Sequence, residues 1–183
     1  MTTKSSQSDV FEHLEAVDAK SDNINVIVET PKGRRNKYKY DEKHGLFILH
    51  KVLPIGMVFP FDFGYVPSTM GGDGDPLDVL VLMDEEAFVG CLVPSRLIGV
   101  IEAEETENGK TERNDRLIAV ATASHQHRDL RSLDQLDEQL VDEIEHFFIS
   151  YLSMEGKQFK PIGRFDGERA KQLVNEGVAR FQQ

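Results

Sequence analysis

The chain has 183 residues, with 21 Lys and Arg against 32 Asp and Glu, a formal charge of -11. Hydrophobic residues make up 39% and charged residues 29%, a globular balance that excludes a disordered chain and suits one domain. The acid excess argues against nucleic acid and anionic membrane surfaces as partners, although a local basic cluster or a bound cation can still admit a small anion.

Residues 1–21 read as a polar arm with a short amphipathic turn at Val10, Phe11 and Leu14, ahead of a single domain over 22–183. Residues 1–8 lack the apolar core of a secretory signal. No stretch nears the roughly 18 apolar residues of a membrane span, so a cytoplasmic location is expected. Residues 24–28 are β-branched and strand-like, and Pro31-Lys32-Gly33 ends them. Residues 38–40 and 46–49 flank a turn at 41–45 and predict a hairpin. Further strands are expected at 78–82, 89–93, 97–101 and 116–121, each punctuated by Gly, Pro or Asn. Cys91 is the only cysteine and reads as a small buried hydrophobe. His125 and His127 would share a strand face but have no third ligand nearby, which favours a polar loop over a metal site.

The end of the chain changes period. Leu136, Leu140, Ile144, Phe147, Phe148 and Tyr151 fall at helical spacing, with Asp134 as expected N-cap and Gly156 near the stop. A second helix is expected from about Asp166, with Ala170, Leu173, Val174, Val178 and Phe181 on one face. Many short strands followed by helices predict an α+β fold, a small barrel with helices packed outside.

Chemistry concentrates at Gly71-Gly72-Asp73-Gly74-Asp75-Pro76-Leu77-Asp78, three carboxylates within six residues. Such a cluster is costly unless it meets water or a cation, and hard oxygen donors suit Mg²⁺, Mn²⁺ or Ca²⁺. An EF-hand does not fit, because Asp84 would stand where the bidentate Glu is needed and the flanks are strand-like. A solvated acidic turn and a magnesium site in a β framework remain as readings.

The segment Asp73-Gly74-Asp75-Pro76-Leu77-Asp78-Val79 resembles the signature of soluble family I inorganic pyrophosphatases. Further islands follow in the family's order: Val28-Glu29-Thr30-Pro31, Asn36-Lys37-Tyr38, Met57-Val58-Phe59-Pro60, Phe63-Gly64-Tyr65-Val66-Pro67, Arg116-Leu117-Ile118-Ala119-Val120, and His146-Phe147-Phe148 with Tyr151. The resemblance implies a closed five-stranded OB-like barrel and Mg²⁺-dependent hydrolysis of inorganic pyrophosphate, with Mn²⁺ as a substitute metal. It also implies a homo-oligomer, often a hexamer in bacterial members. By the same resemblance Asp73 and Asp78 are metal ligands, and Asp75 is both a ligand and the carboxylate that helps to activate the attacking water. Glu29, Glu105 and either Asn114 or Asp115 complete the metal set, and Lys37, Lys51, Arg116 and Tyr151 hold phosphate oxygens.

This chain departs from the family's pattern in several places. Lys39 stands where Glu is usual, Lys51 where Arg is usual, and Asn114 where a metal-binding Asp is usual. Phe59 and Phe63 replace tyrosines, and Leu152 replaces a lysine. These departures leave a second reading: a catalytically impaired pyrophosphatase-fold protein acting as a phosphate-ligand binding or interaction module.

Overall fold

Alternation of buried residues organises the sheet. In β1 (Ile24–Thr30), β5 (Asp78–Leu82) and β8 (Arg116–Ala121) nearly every side chain is buried, because both faces are covered. Val79, Val81, Leu117 and Ala119 belong to one apolar cluster, while Leu80, Leu82, Ile118 and Val120 belong to another. This is the two-residue period of a strand serving two cores. The structure is a computed structural model that describes residues 14–183, so Val10 and Phe11 of the expected amphipathic turn lie outside the described residues.

The remaining strands are β2 (Asn36–Asp41), β3 (Leu46–Val52), β4 (Asp62–Tyr65), β6 (Leu92–Glu107), β7 (Lys110–Arg113) and β9 (Gln158–Asp166). Pairing in the order β1-β4-β5-β8-β6 returns to β1, which closes a ring of five strands. The β5–β8 pair is parallel and the other ring contacts are antiparallel. At 16 residues, β6 is long enough to pair with β1 near its start, then β8 and β9, and finally β7. Strands β2 and β3 form a separate hairpin, turned at Gly45 with φ +64°. Gly64 is required where β4 crosses β1, since a Cβ there would lie 2.0 Å from the Ile27 carbonyl oxygen.

Helix α1 (Glu138–Met154) buries Val141, Ile144, Phe148, Tyr151 and Leu152 against the cluster that contains Leu80 and Ile118. Helix α2 (Gly167–Phe181) buries Ala170, Leu173 and Val174 against the cluster that contains Val79 and Leu117. The second helix starts where it was expected, and Asp166 caps it by accepting from Arg169 N at 3.0 Å. Ala16 is buried with the second cluster, so the packed body includes part of the expected arm.

Three expectations need correction. Residues 89–93 and 97–101 are not two strands: 89–91 form a turn, and β6 runs unbroken through Pro94. Asp137, not Asp134, caps α1; Asp134 sits in a preceding 3-10 turn (Leu133–Gln135). Cys91 is half-buried rather than buried. Among the described residues, no helix is long and apolar enough to cross a membrane.

Candidate active site

The acidic loop joins β4 to β5, and its geometry follows from its glycines. Gly71 N donates to the Asp75 carbonyl at 2.7 Å, and Asp75 N donates to Asp73 Oδ1 at 3.2 Å. Gly74 takes φ +88°, which lets the chain curl between the two aspartates. Asp78 then opens β5. All three carboxylates line one open cleft of about 870 Å³.

Glu29, at the end of β1, lines the same cleft and is 8% exposed. Burial pushes its carboxyl up to about 7, with Lys37 pulling it down and Asp78 raising it further. Burial likewise lifts Asp73 to about 6; the Asp75 N–H pulls it down, and the Asp78 and Asp75 charges raise it further. Desolvated carboxyls crowded by others hold charge poorly until a cation arrives.

The opposite wall is basic. Lys37 on β2 faces Lys51 on β3 directly across the hairpin, at a register shift that passes over His50. Like charges directly opposite destabilise a strand pair, so an anion bound between them would relieve the pairing. Lys37 Nζ lies 4.7 Å from the Phe63 ring centroid, and desolvation lowers its pKa while Asp78 and Glu29 raise it. Lys51 Nζ reaches Glu155 Oε2 at 2.7 Å and lies over the Tyr151 ring. The buried Tyr151 hydroxyl has no hydrogen bond of good geometry; burial first, and the nearby Glu155 carboxylate second, push its pKa up.

Arg116 opens β8 beside Asp78. It is 3% exposed, pairs with Asp78 at 2.8 Å, and packs over the rings of Phe148 and Phe159. The two downstream residues, in the link between β7 and β8, go to different sides. Asn114 lines the cleft, donates to Glu105 Oε2 at 2.9 Å, and accepts a short hydrogen bond from Arg116. Asp115 turns away from the cleft: its Oδ1 accepts from Ala103 N at 2.9 Å and from Arg113 at 2.8 Å. Of the two alternatives for the last metal position, the structure therefore brings only Asn114 to the site.

Glu105 also lines the cleft, but it is engaged by Lys157 at 2.6 Å as well as by Asn114. Lys157, which also reaches Glu107 at 3.1 Å, was not legible as a site residue. It follows α1 as one more charged residue beyond the helix stop, with no motif around it. Its partner relationship exists only because β9 brings residue 158 opposite residue 106.

Asp73, Asp75, Asp78, Glu29 and Glu105 supply hard oxygens only, a donor chemistry that fits a hard divalent cation. Among the described residues no three of them are gathered closely enough to hold an ion together as they stand. Cationic side chains occupy several instead: Arg116 on Asp78, Lys39 on Asp75, and Lys157 on Glu105. The donor set fits, and its present partners are the protein's own cations.

A family model described as inorganic pyrophosphatase matches residues 26–182. An inorganic pyrophosphatase of Halalkalibacterium halodurans is 38% identical over 158 residues, covering 86% of this chain and 94% of that protein. Among solved structures, the inorganic pyrophosphatase of Thermus thermophilus is similar with TM-score 0.86 and 30% identity, covering 94% of this chain and 99% of that one. That of Helicobacter pylori is similar with TM-score 0.84 and 31% identity, covering 94% and 100%.

Proposed function

The chain belongs to the inorganic pyrophosphatase family, and from that premise we propose that it hydrolyses inorganic pyrophosphate to two phosphates with Mg²⁺ as its metal. Family membership implies a divalent metal cofactor. Mg²⁺ is the ion this reading selects, since an all-oxygen donor set suits it, with Mn²⁺ as a substitute. Asp73, Asp75, Asp78 and Glu29 would hold the metal, with Glu105 and Asn114 at the edge of the set. When bound, the metal would supply Lewis acidity toward water and neutralise substrate charge.

The chain's own residues supply the rest. Lys37, Lys51 and Arg116 bind phosphoryl oxygens, and the Tyr151 hydroxyl donates to one more. Asp75, 66% exposed at the cleft mouth, accepts the proton of the attacking water. The observation that carries this reading is the facing of two walls, the Asp73-Asp75-Asp78 loop on one side and the cross-strand Lys37–Lys51 pair on the other. Phosphoryl transfer asks little of a protein beyond positioning and charge stabilisation, and these walls provide both.

A cytoplasmic homo-oligomer, a hexamer by family likeness, belongs to the same reading. Leu46, Ile48, Leu49 and Val52 are exposed on β3 and supply apolar surface for such association. The central test is phosphate release from pyrophosphate across a Mg²⁺ titration, beside an Asp75→Asn variant. Metal-dependent release is expected, reduced at least about a hundredfold in the variant, as for loss of a general base. Absence of release at every Mg²⁺ and Mn²⁺ concentration would overturn the enzyme reading.

A further inference from the structure

Lys37 and Lys39 lie two residues apart on β2, so they share a strand face and both reach the cleft. Their surroundings differ. Lys37 is packed over Phe63, whereas the Lys39 side chain is 51% exposed, with Nζ 3.2 Å from Asp75 Oδ1. Among the described residues, no other side chain donates to the Asp75 carboxylate. The remaining cleft lysines are anchored elsewhere: Lys51 on Glu155, Lys157 on Glu105 and Glu107, and Lys110 on Glu112. Lys39 is thus the lysine that rests on the three-aspartate loop.

We propose that Lys39 competes with divalent cations for Asp75, so that its ammonium must leave the carboxylate before a metal loads fully. The proposal rests on reading the cleft as a metal-dependent pyrophosphatase site. Two effects act together. The ammonium occupies an oxygen that would otherwise face the ion, and its charge repels a dication at close range. Once displaced, Lys39 remains tethered to β2 as a positive charge at the mouth, where an anionic substrate enters. Weaker metal binding and stronger anion attraction are therefore consequences of one side chain.

An exposed pair of this kind is worth up to about fivefold in an equilibrium constant. The test is calorimetric binding of Mn²⁺ alone to the full chain, comparing wild type with Lys39→Met, Lys39→Gln, Lys39→Glu and Lys110→Met. Circular dichroism verifies that each variant is folded. The two neutral variants at position 39 are expected to tighten Mn²⁺ binding about three- to fivefold. Lys39→Glu should tighten it further, and Lys110→Met should stay within about twofold because Lys110 pairs with Glu112, away from the three-aspartate loop. Unchanged or weaker binding in the position 39 variants would overturn the proposal, as would an equal effect from Lys110→Met. Phosphate release by the wild type alongside such a result would leave the enzymatic reading standing. Neither Mn²⁺ binding nor phosphate release in any protein would overturn both.

Discussion

Arg116 donates to the carbonyls of Asn114 and Asp115 at 3.1 Å, pairs with Asp78, and lies 4.9 Å from the Phe148 ring centroid. A guanidinium can do all of this at once because its planar fork has five donors and a face that stacks. Arg116→Met should therefore destabilise the protein by about 3 kcal/mol in urea unfolding, since it leaves Asp78 unpaired in a partly buried setting. Arg116→Lys should recover the charge but not the paired carbonyl contacts, and so fall between. Much of the site at this scale was legible, because Asp73, Asp75 and Asp78 are adjacent in sequence and the family pattern tags Lys37, Lys51, Arg116 and Tyr151. What was not legible is how charges partner across the cleft. Lys39 on Asp75 and Lys157 on Glu105 join residues 36 and 52 positions apart, which no local pattern encodes.

At the scale of elements, local pattern succeeded where periodicity was long or punctuation was unambiguous. β5 and β8 match their expected bounds, and α2 begins where Asp166 can cap it. Asp166→Ala should cost about 1 kcal/mol by removing the acceptor for Arg169 N, read as a shift of the urea midpoint. The failures have a tertiary cause. Pro94 read as a strand break, yet it pairs opposite Asn25 near the strand's start, and Gly99 sits at a register shift within the same strand. At Gly99 any Cβ would lie 2.7 Å from Leu133 Cβ, so the residue is small because another element packs onto it. β4 spans only four residues and β9 contains Pro161 and Gly163, so neither carries enough alternation to announce itself.

At the scale of the whole molecule, Glu102 ties three elements together. From β6 it accepts from Arg113 on β7 at 2.6 Å and from Arg169 on α2 at 2.6 Å. Burial pushes its carboxyl up, but the hydrogen bonds from Arg113 and Arg169 outweigh burial and hold it below the ordinary glutamate value. A depressed folded-state pKa contributes stability that is fully present above the unfolded value and is lost as pH falls through the folded one. Glu102→Gln should thus lose about 2 kcal/mol at pH 7 and approach wild type as pH falls through the folded-state value, in urea melts across an acid pH series. Divalent metal should also raise the melting temperature, and a chelator should reverse the rise, because binding to the native state alone stabilises it.

The closed ring has a further consequence for how the chain matures. β1 cannot close against β6 until Leu92 to Ser95 exist, and α1 with Tyr151 comes later still. Pairing across such separations carries loop-closure entropy before any contact offsets it, so folding is expected in milliseconds to seconds rather than microseconds. A chain emerging from a ribosome would carry its aspartate loop early and assemble a complete cleft only after Tyr151 and Lys157 have followed. Catalytic competence would then report that folding has finished.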